Sequence, residues 1–342
     1  MENKFEKAFK NKKILVTGGT GCIGSEIVKN LLKYNPKVVR IFSNDEDNTF
    51  RLSQELINKG NKRFLIGDIR DKERLLRAME DIDIVYHAAA LKHVPLCEYN
   101  PFEAIKTNVL GTQNVIEAAI ENEAEKVINI STDKAVNPIN TMGATKLLAE
   151  KLIIDANFYK GKRKTIFSSV RFGNVLFSRG SVLPLFEEQI KNKKMITITD
   201  SEMTRFMMSI ENTIELVFKA TFMAKGGEIF ILKMPIVKIG DLADAAIKDY
   251  AEKYNFKPSE IKKKFIGSRP GEKKFEELMT KNEAENAIET KDILIVLPHK
   301  EFGINLKPSD YKTSKPSKLK SYTSQDVKPL KPNQIEKLLF KK

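Results

Sequence analysis

Short apolar runs recur along the first half of the chain, and each is followed by a polar turn. They lie at residues 13–17, 37–42, 62–66, 82–86, 126–130 and 165–171. Runs of this length predict buried β-strands, and the apolar residues after several of them have helical spacing. Strands that alternate with helices are joined by right-handed crossovers, so the pattern predicts an α/β fold with a doubly wound parallel sheet, a Rossmann domain over residues 1–180.

Shorter elements follow one another after Ser181. The pattern predicts a helix over 184–192, a strand over 195–199 and a helix over 211–224. These elements predict a smaller C-terminal substrate lobe of mixed α/β structure, residues 181–298, interleaved with the last part of the sheet. Lys, Pro and Ser dominate from Pro298 onward. Residues 299–342 are therefore predicted to be an extended, only partly ordered C-terminal extension.

The composition supports a folded body without a nucleic-acid partner. The 342 residues are 41% apolar, enough for one large domain and an appended lobe. The net charge is +14, but residues 307–342 hold ten lysines against three acidic residues, a net of +7. The body is thus mildly basic and has no arginine–aromatic interleaving of the kind that stacks bases. The lysine excess indicates a solubilising surface or, less simply, an acidic partner.

The two cysteines and the N-terminus bear on the cellular compartment. Cys22 and Cys97 lie in unrelated segments without metal-ligand spacing, which predicts neither a disulfide framework nor a metal site. The N-terminus is charged, and no run approaches the roughly 20 apolar residues that cross a bilayer. We therefore expect a soluble, cytoplasmic protein without a membrane anchor.

A glycine-rich turn follows the first predicted strand. It reads Thr17-Gly-Gly-Thr-Gly-Cys-Ile-Gly-Ser25 and leads into a predicted helix over 26–34. Glycines at 18, 21 and 24 let the backbone approach a pyrophosphate, whose charge the helix N-terminus stabilises. The alternative is a tight turn without a ligand. The position between a strand and a helix favours a dinucleotide-binding site.

The ends of the next strands would surround such a dinucleotide. Ser43 and Asn44 could donate to a 2′-phosphate, whereas Asp45 or Asp47 could accept from a free 2′-hydroxyl, so the strand end leaves NADP and NAD both open. Asp68 and the following isoleucine are a plausible wall for the adenine. The alanines after His87 would let the cofactor pass close to the backbone, although tight packing alone would also explain them.

The stretch from Ser131 to Lys146 carries the candidate chemistry. It follows a buried strand and precedes a helix, so Thr132, Asp133 and Lys134 lie where an open α/β sheet binds its ligand. Lys146 falls four residues after Met142, on the same helix face. The alternative is a solvated loop with surface lysines. A cluster of two lysines and a carboxylate indicates acid–base chemistry.

Three arginines occur in polar segments predicted to be loops of the second lobe. They are Arg179, Arg205 and Arg269. Guanidinium groups bind diphosphates through paired hydrogen bonds, so together the arginines predict an anionic ligand. Each one alone is explained equally well as a surface residue.

Six motifs in the chain follow one family pattern. They are TGGTGCIGS (17–25), HAAALKHVPLCEYNP (87–101), STDKAVNPINTMGATK (131–146), RFGNVLFSRGSVLPLF (171–186), MTRFMMS (203–209) and RPGEK (269–273). On these motifs the chain resembles the extended short-chain dehydrogenase/reductases and, within them, the UDP-N-acetylglucosamine 4,6-dehydratases of the polysaccharide-biosynthesis group. HAAALKHVP and STDKA are the more specific motifs. The tail segment 322–324 resembles the soluble, 5-inverting branch.

The resemblance implies a reaction without net redox change. The sugar is oxidised at C4, loses water across C5 and C6, and receives the hydride back at C6. Asp133 is then the expected acid at C6 and Lys134 the expected base at C5, with Thr132 and Lys146 as further catalytic residues. The expected cofactor is NADP, with NAD as the alternative, the substrate a UDP-sugar, and the protein a homo-oligomer that needs no metal.

The resemblance also implies two sets of binding residues. The expected cofactor-binding residues are Gly18, Thr20, Gly21, Cys22, Ile23, Gly24, Ser43, Asn44, Asp45, Asp68, Ile69, Ala88, Ala89, Lys92, Ser131, Met142, Lys146 and Val175. The expected substrate-binding residues are Lys92, Asn174, Arg179, Met203, Arg205, Arg269 and Glu272.

Two departures from the family pattern keep alternatives open. Met142 replaces the usual catalytic tyrosine, and a thioether cannot exchange a proton. Asn44 stands where related dehydratases tend to have arginine beside a 2′-phosphate. A non-catalytic dinucleotide-binding regulator would explain the methionine. A UDP-hexose 4-epimerase is the other alternative, but it has no task for an acid–base pair at C5 and C6, so Asp133 and Lys134 favour the dehydratase.

Overall fold

The computed structural model describes residues 2–178, 180–299 and 304–340. Its strands, numbered along the chain, are β1 (Lys13–Thr17), β2 (Val38–Ser43), β3 (Lys62–Ile66), β4 (Ile84–His87), β5 (Lys126–Ile130), β6 (Ile166–Arg171), β7 (Asn174–Val175), β8 (Met195–Ile198), β9 (Thr204–Met208), β10 (Ile229–Leu232), β11 (Ile236–Lys238), β12 (Lys262–Phe265), β13 (Glu277–Met279), β14 (Ala287–Glu289), β15 (Ile293–Val296), β16 (Lys315–Pro316) and β17 (Tyr322–Thr323).

The helices lie between these strands, most of them on the two faces of a large sheet. They are α1 (Glu2–Phe9), α2 (Cys22–Leu31), α3 (Glu46–Glu55), α4 (Lys72–Met79), α5 (Val94–Tyr99), α6 (Pro101–Ala104), α7 (Gly111–Glu121), α8 (Thr141–Tyr159), α9 (Val182–Lys193), α10 (Ile210–Met223), α11 (Ile239–Lys253), α12 (Lys281–Ala284) and α13 (Pro332–Phe340).

The large sheet is doubly wound, as predicted, but it has more strands than the six expected. Its order is β16-β14-β15-β10-β6-β5-β4-β1-β2-β3. A seventh parallel strand, β10, pairs with β6, and β15, β14 and β16 extend that edge in antiparallel pairs. These four strands come from residues after Ser181, so both parts of the chain build the sheet.

Both faces of the sheet are covered. On β5, the adjacent residues Val127 and Ile128 are fully buried and belong to different apolar clusters. Because successive side chains of a strand point to opposite faces, each face has its own core. A third cluster joins β8, α9, α11 and α13, with Phe186, Leu242 and Ile335 at its centre. The third cluster packs the second lobe.

The helical region between Pro101 and Glu121 is interrupted. A π-helical segment, Ile105–Leu110, separates α6 from α7. Inside it lies Asn108, which is buried and binds both the backbone N–H and the carbonyl of Leu91, as well as the hydroxyl of Thr145. Asn108 therefore ties the loop after β4 to α8. A π-segment of this kind is frequent at functional sites.

The tail does not remain extended, in contrast to the prediction from its composition. Strand β17 pairs with β13, and the Tyr322 hydroxyl binds the backbone of Met234. Helix α13 buries Ile335 and Leu339 in the core of the second lobe. The prediction was wrong because these apolar residues are spaced among many lysines, and composition averages that spacing away.

His87 is a neutral base buried at the end of β4. Its Nδ1 lies 2.8 Å from the Thr17 hydroxyl and its Nε2 3.0 Å from the Thr112 hydroxyl. Because Thr112 donates its own proton to the Asn108 carbonyl, it accepts from Nε2, and Nδ1 accepts from Thr17. Burial, together with the charge of Lys146, lowers the pKa of His87 to about 3.

We predict that His87 makes the fold sensitive to acid. Between the unfolded pKa near 6.5 and the folded value near 3, only the unfolded chain takes up this proton, so stability falls as pH falls. His87→Gln removes the effect. From pH 7 to 4.5 the wild type should lose about 2 to 3 kcal/mol relative to this variant in urea unfolding. If the difference in unfolding free energy between the wild type and His87→Gln were the same at pH 7 and pH 4.5, the prediction would be contradicted.

Candidate functional site

The carboxyl ends of the parallel strands bring most predicted cofactor residues to one edge of the sheet. The first turn follows β1, Ser43 ends β2, Asp68 follows β3, Ala88 follows β4, and Ser131 follows β5. Parallel strands present all their carboxyl ends on the same side, so residues distant in sequence meet there. This edge is where an open α/β sheet binds its ligand.

The glycine turn has no room for side chains. Gly18 has φ +62°, and a Cβ there would lie 2.7 Å from the backbone of Ala89. A Cβ on Gly24 would lie 2.2 Å from the Gly18 carbonyl oxygen. Helix α2 begins directly after Gly21, which offers no side chain to cap it. The first N–H groups of α2 are therefore available to an anion, and the turn fits a dinucleotide pyrophosphate.

The end of β2 carries polar groups with different tasks. Ser43 is buried and its hydroxyl lies 2.7 Å from that of Thr20. The Asp45 carboxylate caps α3 by accepting from the N–H of Asn48 and from the Asn48 side chain. Asn44 is exposed. Asp45 is the residue that the sequence suggested as an acceptor for a free ribose hydroxyl, and its carboxylate is already used to cap α3.

Arg70, which the sequence did not indicate as a site residue, lies beside Asn44. Asn44 donates to Asp68 at 3.3 Å, and Arg70 donates to the same Asp68 oxygen at 2.7 Å through Nη2. Arg70 also contacts Glu103 at 2.9 Å. A guanidinium group thus lies beside Asp68 and Asn44 at the predicted ribose end.

The Thr132–Lys134 loop is organised around the Asp133 carboxylate. This side chain is fully buried, and its Oδ1 accepts from the Thr132 hydroxyl at 2.9 Å and from Lys134 Nζ at 3.0 Å. Among the described residues, Asp133 Oδ2 and the nearby Ser131 hydroxyl have no hydrogen-bond partner. Buried polar atoms without protein partners are costly, so these two atoms are candidates for hydrogen bonds to a ligand or to water.

Lys134 is held as an ammonium. Burial opposes its charge, but the carboxylates of Asp133 and Glu276 outweigh burial and raise the pKa of Lys134 above its usual value. A base at C5 needs the opposite shift. The structure therefore brings the predicted acid–base pair together but leaves the lysine in the wrong protonation state for its expected task.

Glu276 is the site residue that the sequence analysis missed. Its Oε1 lies 3.6 Å from Lys134 Nζ and 3.9 Å from Arg205 Nε, and its Oε2 has no hydrogen-bond partner among the described residues. Burial raises the pKa of Glu276, although Lys134 counteracts the shift. The RPGEK motif ends three residues earlier, and nothing in the sequence separates Glu276 from Glu277.

Lys146 and Met142 lie on the same buried side of α8, as predicted. Lys146 Nζ donates to the Ile130 carbonyl at 2.7 Å, and burial lowers its pKa to about 8, with Glu150 opposing the shift. Met142 packs against Cys97 and Ala104 in a small apolar cluster. The methionine fills space, and the lysine is the nearby group that can exchange a proton near neutral pH.

A cleft opens beside Lys134 between the sheet edge and the second lobe. Five predicted residues line it: Lys134, Asn174, Arg205, Arg269 and Glu272. Its other lining residues are Val94, Pro95, Asn140, Pro270, Gly271, Lys273 and Glu276. A groove of about 470 Å³ lies elsewhere, between α11 and the tail, away from the carboxyl edge and its unpartnered polar groups.

Several predicted substrate residues lie in other environments than expected. Arg205 is on β9 rather than in a loop, and its guanidinium donates to the carbonyls of Thr204, Lys273 and Lys274. It therefore holds the loop that carries Glu276.

The other predicted binding residues lie at different depths in the structure. Met203 is buried in the core of the second lobe, with its sulfur near Arg205, and does not line the cleft. Lys92 is exposed in the loop after β4, and Val175 is buried in β7. Arg179 lies outside the described residues.

The fold and the site define a Rossmann-fold enzyme of the extended short-chain dehydrogenase/reductase class. The family described as "Polysaccharide biosynthesis protein" matches residues 14–298. The chain belongs to this family. The X-ray structure of Pen from Bacillus thuringiensis is 46% identical, covers 97% of this chain and 98% of its own, and superposes with a TM-score of 0.91.

Curated relatives carry different names. A Methanocaldococcus jannaschii protein described as an uncharacterized membrane protein is 57% identical over 97% of this chain and 96% of its own. A UDP-N-acetylglucosamine 4,6-dehydratase (inverting) of Campylobacter jejuni is 45% identical over 85% and 84%. A UDP-glucose 4-epimerase of Rickettsia conorii is 41% identical over 97% and 96%.

In the ranges 2–178, 180–299 and 304–340, no helix is both long and apolar enough to cross a membrane. The same part of the chain has no group of three or more His, Cys, Asp or Glu side chains arranged to hold a metal ion.

We predict that Lys146 weakens the fold at neutral pH. Between the folded pKa near 8 and the unfolded value of 10.5, only the unfolded chain keeps the proton, so stability rises with pH. From pH 7.5 to 9.5 the wild type should gain about 2 kcal/mol in unfolding free energy relative to Lys146→Met. Lys151→Met, at an exposed position of the same helix, is the control and should show no such gain.

Proposed function

We propose that the protein is a UDP-N-acetylglucosamine 4,6-dehydratase that inverts C5 and serves surface polysaccharide or glycan biosynthesis. The observation that carries the proposal is the Asp133–Lys134 pair, joined at 3.0 Å beside the cleft at the sheet edge. An elimination across C5 and C6 needs an acid and a base next to each other. The name of the Campylobacter relative supports the same reaction.

The site residues divide the proton transfers between them. A bound nicotinamide dinucleotide would accept the hydride from C4 and return it to C6. Lys146, whose pKa lies near 8, is the group suited to accept the C4 hydroxyl proton, because Met142 cannot. The resulting ketone acidifies the C5 proton, which Lys134 removes. Asp133 protonates the departing C6 hydroxyl.

We propose NADP as the cofactor, held at the glycine turn. The Ser43 and Asn44 side chains are donors at the ribose end, and the Arg70 guanidinium lies beside them through Asp68. The Asp45 carboxylate, which would favour NAD, is engaged in capping α3. The Ser131 hydroxyl, unpartnered among the described residues, supports a bound ligand at the nicotinamide end.

The 4-epimerase is the second candidate, because the Rickettsia relative carries that name. Both reactions begin with oxidation at C4, so the glycine turn and Lys146 serve either one. The epimerase returns the hydride to C4 and removes nothing from C5. An adjacent carboxylate and ammonium beside the cleft would then have no chemical task, which favours the dehydratase.

The first test is turnover of UDP-N-acetylglucosamine in deuterated water, followed by NMR. We expect a 6-deoxy-4-keto sugar that carries deuterium at C5 in the inverted configuration. Nucleotide released by denaturing the purified protein should be NADP(H). A C4 epimer without loss of water would identify an epimerase, and absence of turnover with any UDP-hexose would leave a non-catalytic regulator.

Asp133→Asn is the matched variant for this experiment. It keeps the shape of the side chain but removes the proton that the C6 hydroxyl needs. We expect deuterium to enter C5 of the substrate while water loss falls by about 10²-fold or more. Normal dehydration by this variant would exclude Asp133 as the acid.

We also propose that the protein is a homo-oligomer that associates through α5 and α6. Leu96, Tyr99 and Phe102 on these helices are 63%, 87% and 76% exposed. Neighbouring large side chains of this kind on one surface are typical of protein interfaces. The helices adjoin the cleft through Val94 and Pro95, so association would also stabilise one wall of the site.

We predict that Phe102→Glu dissociates the oligomer, because the interface would have to bury a charge. Light scattering during gel filtration should show the mass of one chain for this variant and a multiple of it for the wild type. Phe50→Glu is the control, since Phe50 is 65% exposed on α3, away from this surface. Equal masses for the wild type and Phe102→Glu would exclude this interface.

A further inference from the structure

Lys134 presents a chemical difficulty for the proposed reaction. Its amine must be free to take the C5 proton, yet Asp133 and Glu276 stabilise the ammonium. Some group must therefore accept the lysine proton before elimination begins. The site offers two carboxylates for this purpose, and their environments differ.

Asp133 is poorly placed to hold the extra proton. Its Oδ1 already accepts from Thr132 and Lys134, and both hydrogen bonds use it as an acceptor. Its Oδ2 faces the backbone of Gly173, where a Cβ would lie 3.3 Å away. In the proposed reaction Asp133 also has a separate task at the C6 oxygen.

Glu276 is better placed. Its Oε1 faces Lys134 Nζ at 3.6 Å, so a movement of under about 1 Å makes a hydrogen bond along which a proton can pass. Its side chain is buried and Oε2 has no hydrogen-bond partner in the described part of the chain. Burial raises the pKa of Glu276, which makes this carboxyl easier to protonate than an exposed one.

The tail fixes this carboxyl in position. The Glu276 N–H donates to the Ser324 hydroxyl at 2.9 Å, and the Ser324 N–H donates back to the Glu276 carbonyl at 2.8 Å. The Ser324 hydroxyl also lies 2.8 Å from that of Thr204, next to Arg205 on β9. The C-terminal strand therefore sets the distance between Glu276 and Lys134.

We propose that Glu276 is the proton partner of Lys134 in the dehydration. The Glu276 carboxylate takes one proton from the Lys134 ammonium, which breaks an N–H bond, forms an O–H bond and leaves a neutral amine. The inference rests on the proposed function, since it assigns Glu276 a part in that reaction. Glu276 acts through Lys134 and is a positioning residue in this sense.

The proton balance of the reaction is then complete. The Lys134 amine takes the C5 proton, the C5–H electrons form the C5–C6 double bond, and the C6–O bond breaks as Asp133 supplies a proton to the leaving hydroxyl. Asp133 is a carboxylate in the resting site, and the proton released from the C4 hydroxyl protonates it before the C6–O bond breaks. Because inversion requires delivery from the opposite face, C5 then receives its new proton from solvent, and Lys134 releases the proton that it took to solvent. Glu276 stays protonated throughout, and the sugar loses one water.

The test is the pH dependence of Glu276→Gln relative to the wild type. The groups facing Lys134 would then be Asp133 from its own loop, Arg205 from β9, and Glu272 and Lys273 from the loop before β13. Without Glu276 the lysine must lose its proton to solvent, while Asp133 still stabilises the ammonium.

The expected ratio of variant to wild-type dehydration rates is about 10⁻² or lower at pH 7. It should rise roughly tenfold per pH unit up to pH 9, because the free-amine fraction of Lys134 rises by that factor. Taking the ratio at each pH cancels the titration of Lys146. A ratio near one, or a loss that does not change with pH, would overturn the proposal.

Two further variants separate this role from a structural one. Glu277→Gln makes the same change one residue away, in a side chain that accepts from Asn137, and its ratio should stay near one at every pH. Glu276→Asp keeps a carboxyl. Its dehydration rate should be lower than that of the wild type, but the ratio of the two rates should not change with pH. If Glu276→Gln does not fold, a tenfold slope in Glu276→Asp still contradicts the proposal.

The same measurements distinguish failure of this inference from failure of the proposed function. Dehydration by the wild type with a flat Glu276→Gln ratio refutes the role of Glu276 alone. Absence of dehydration by the wild type refutes the proposed function and, with it, the role of Glu276 in that reaction.

Discussion

The site depends on keeping one partly buried ammonium between carboxylates at the edge of the sheet. Lys134 is charged in spite of its burial because Asp133 and Glu276 lie on either side of it. An unpaired buried charge would cost several kcal/mol, so neither carboxylate can be removed without consequence. The two come from distant parts of the chain, and β9 and the tail are needed to bring the second one in. The second lobe is thus part of the catalytic geometry as well as a cover for the substrate.

The two site lysines illustrate how one residue type acquires two chemical characters. Lys146 is buried on α8 against a backbone carbonyl, and burial brings its pKa down to about 8. Lys134 is partly buried between two carboxylates, and its pKa is raised. Environments that shift the pKa values of two like residues in opposite directions fit those residues for different proton transfers. With Met142 in place of a phenol, the proposed proton transfers fall to these lysines and their carboxylate partners.

The sequence predicts the sheet and the cofactor edge well, because both depend on local patterns. Apolar runs mark β1 to β6, and the glycine turn needs its glycines for steric reasons visible at Gly18 and Gly24. Contacts across long sequence separations were not predictable. Arg205 was expected in a loop but pairs with the loop of Glu276 from within β9, and the tail was expected to be extended although its few apolar residues complete β17 and α13. Nothing in the local sequence distinguishes Glu276 from the glutamate beside it.

These long-range contacts also explain why the Asp133–Lys134 motif alone does not determine the chemistry. Adjacent in sequence, the two residues form an ion pair whose proton has no acceptor for the elimination step. The pair becomes an acid and a base only when a third carboxyl takes up the lysine proton, and Glu276 reaches Lys134 because Ser324 and Arg205 hold its loop. On this proposal, a chain with the same motif but without the Ser324 and Arg205 contacts would keep Lys134 protonated and could still oxidise C4. On the proposed role of Glu276, dehydration depends on packing at the tail as well as on the motif itself.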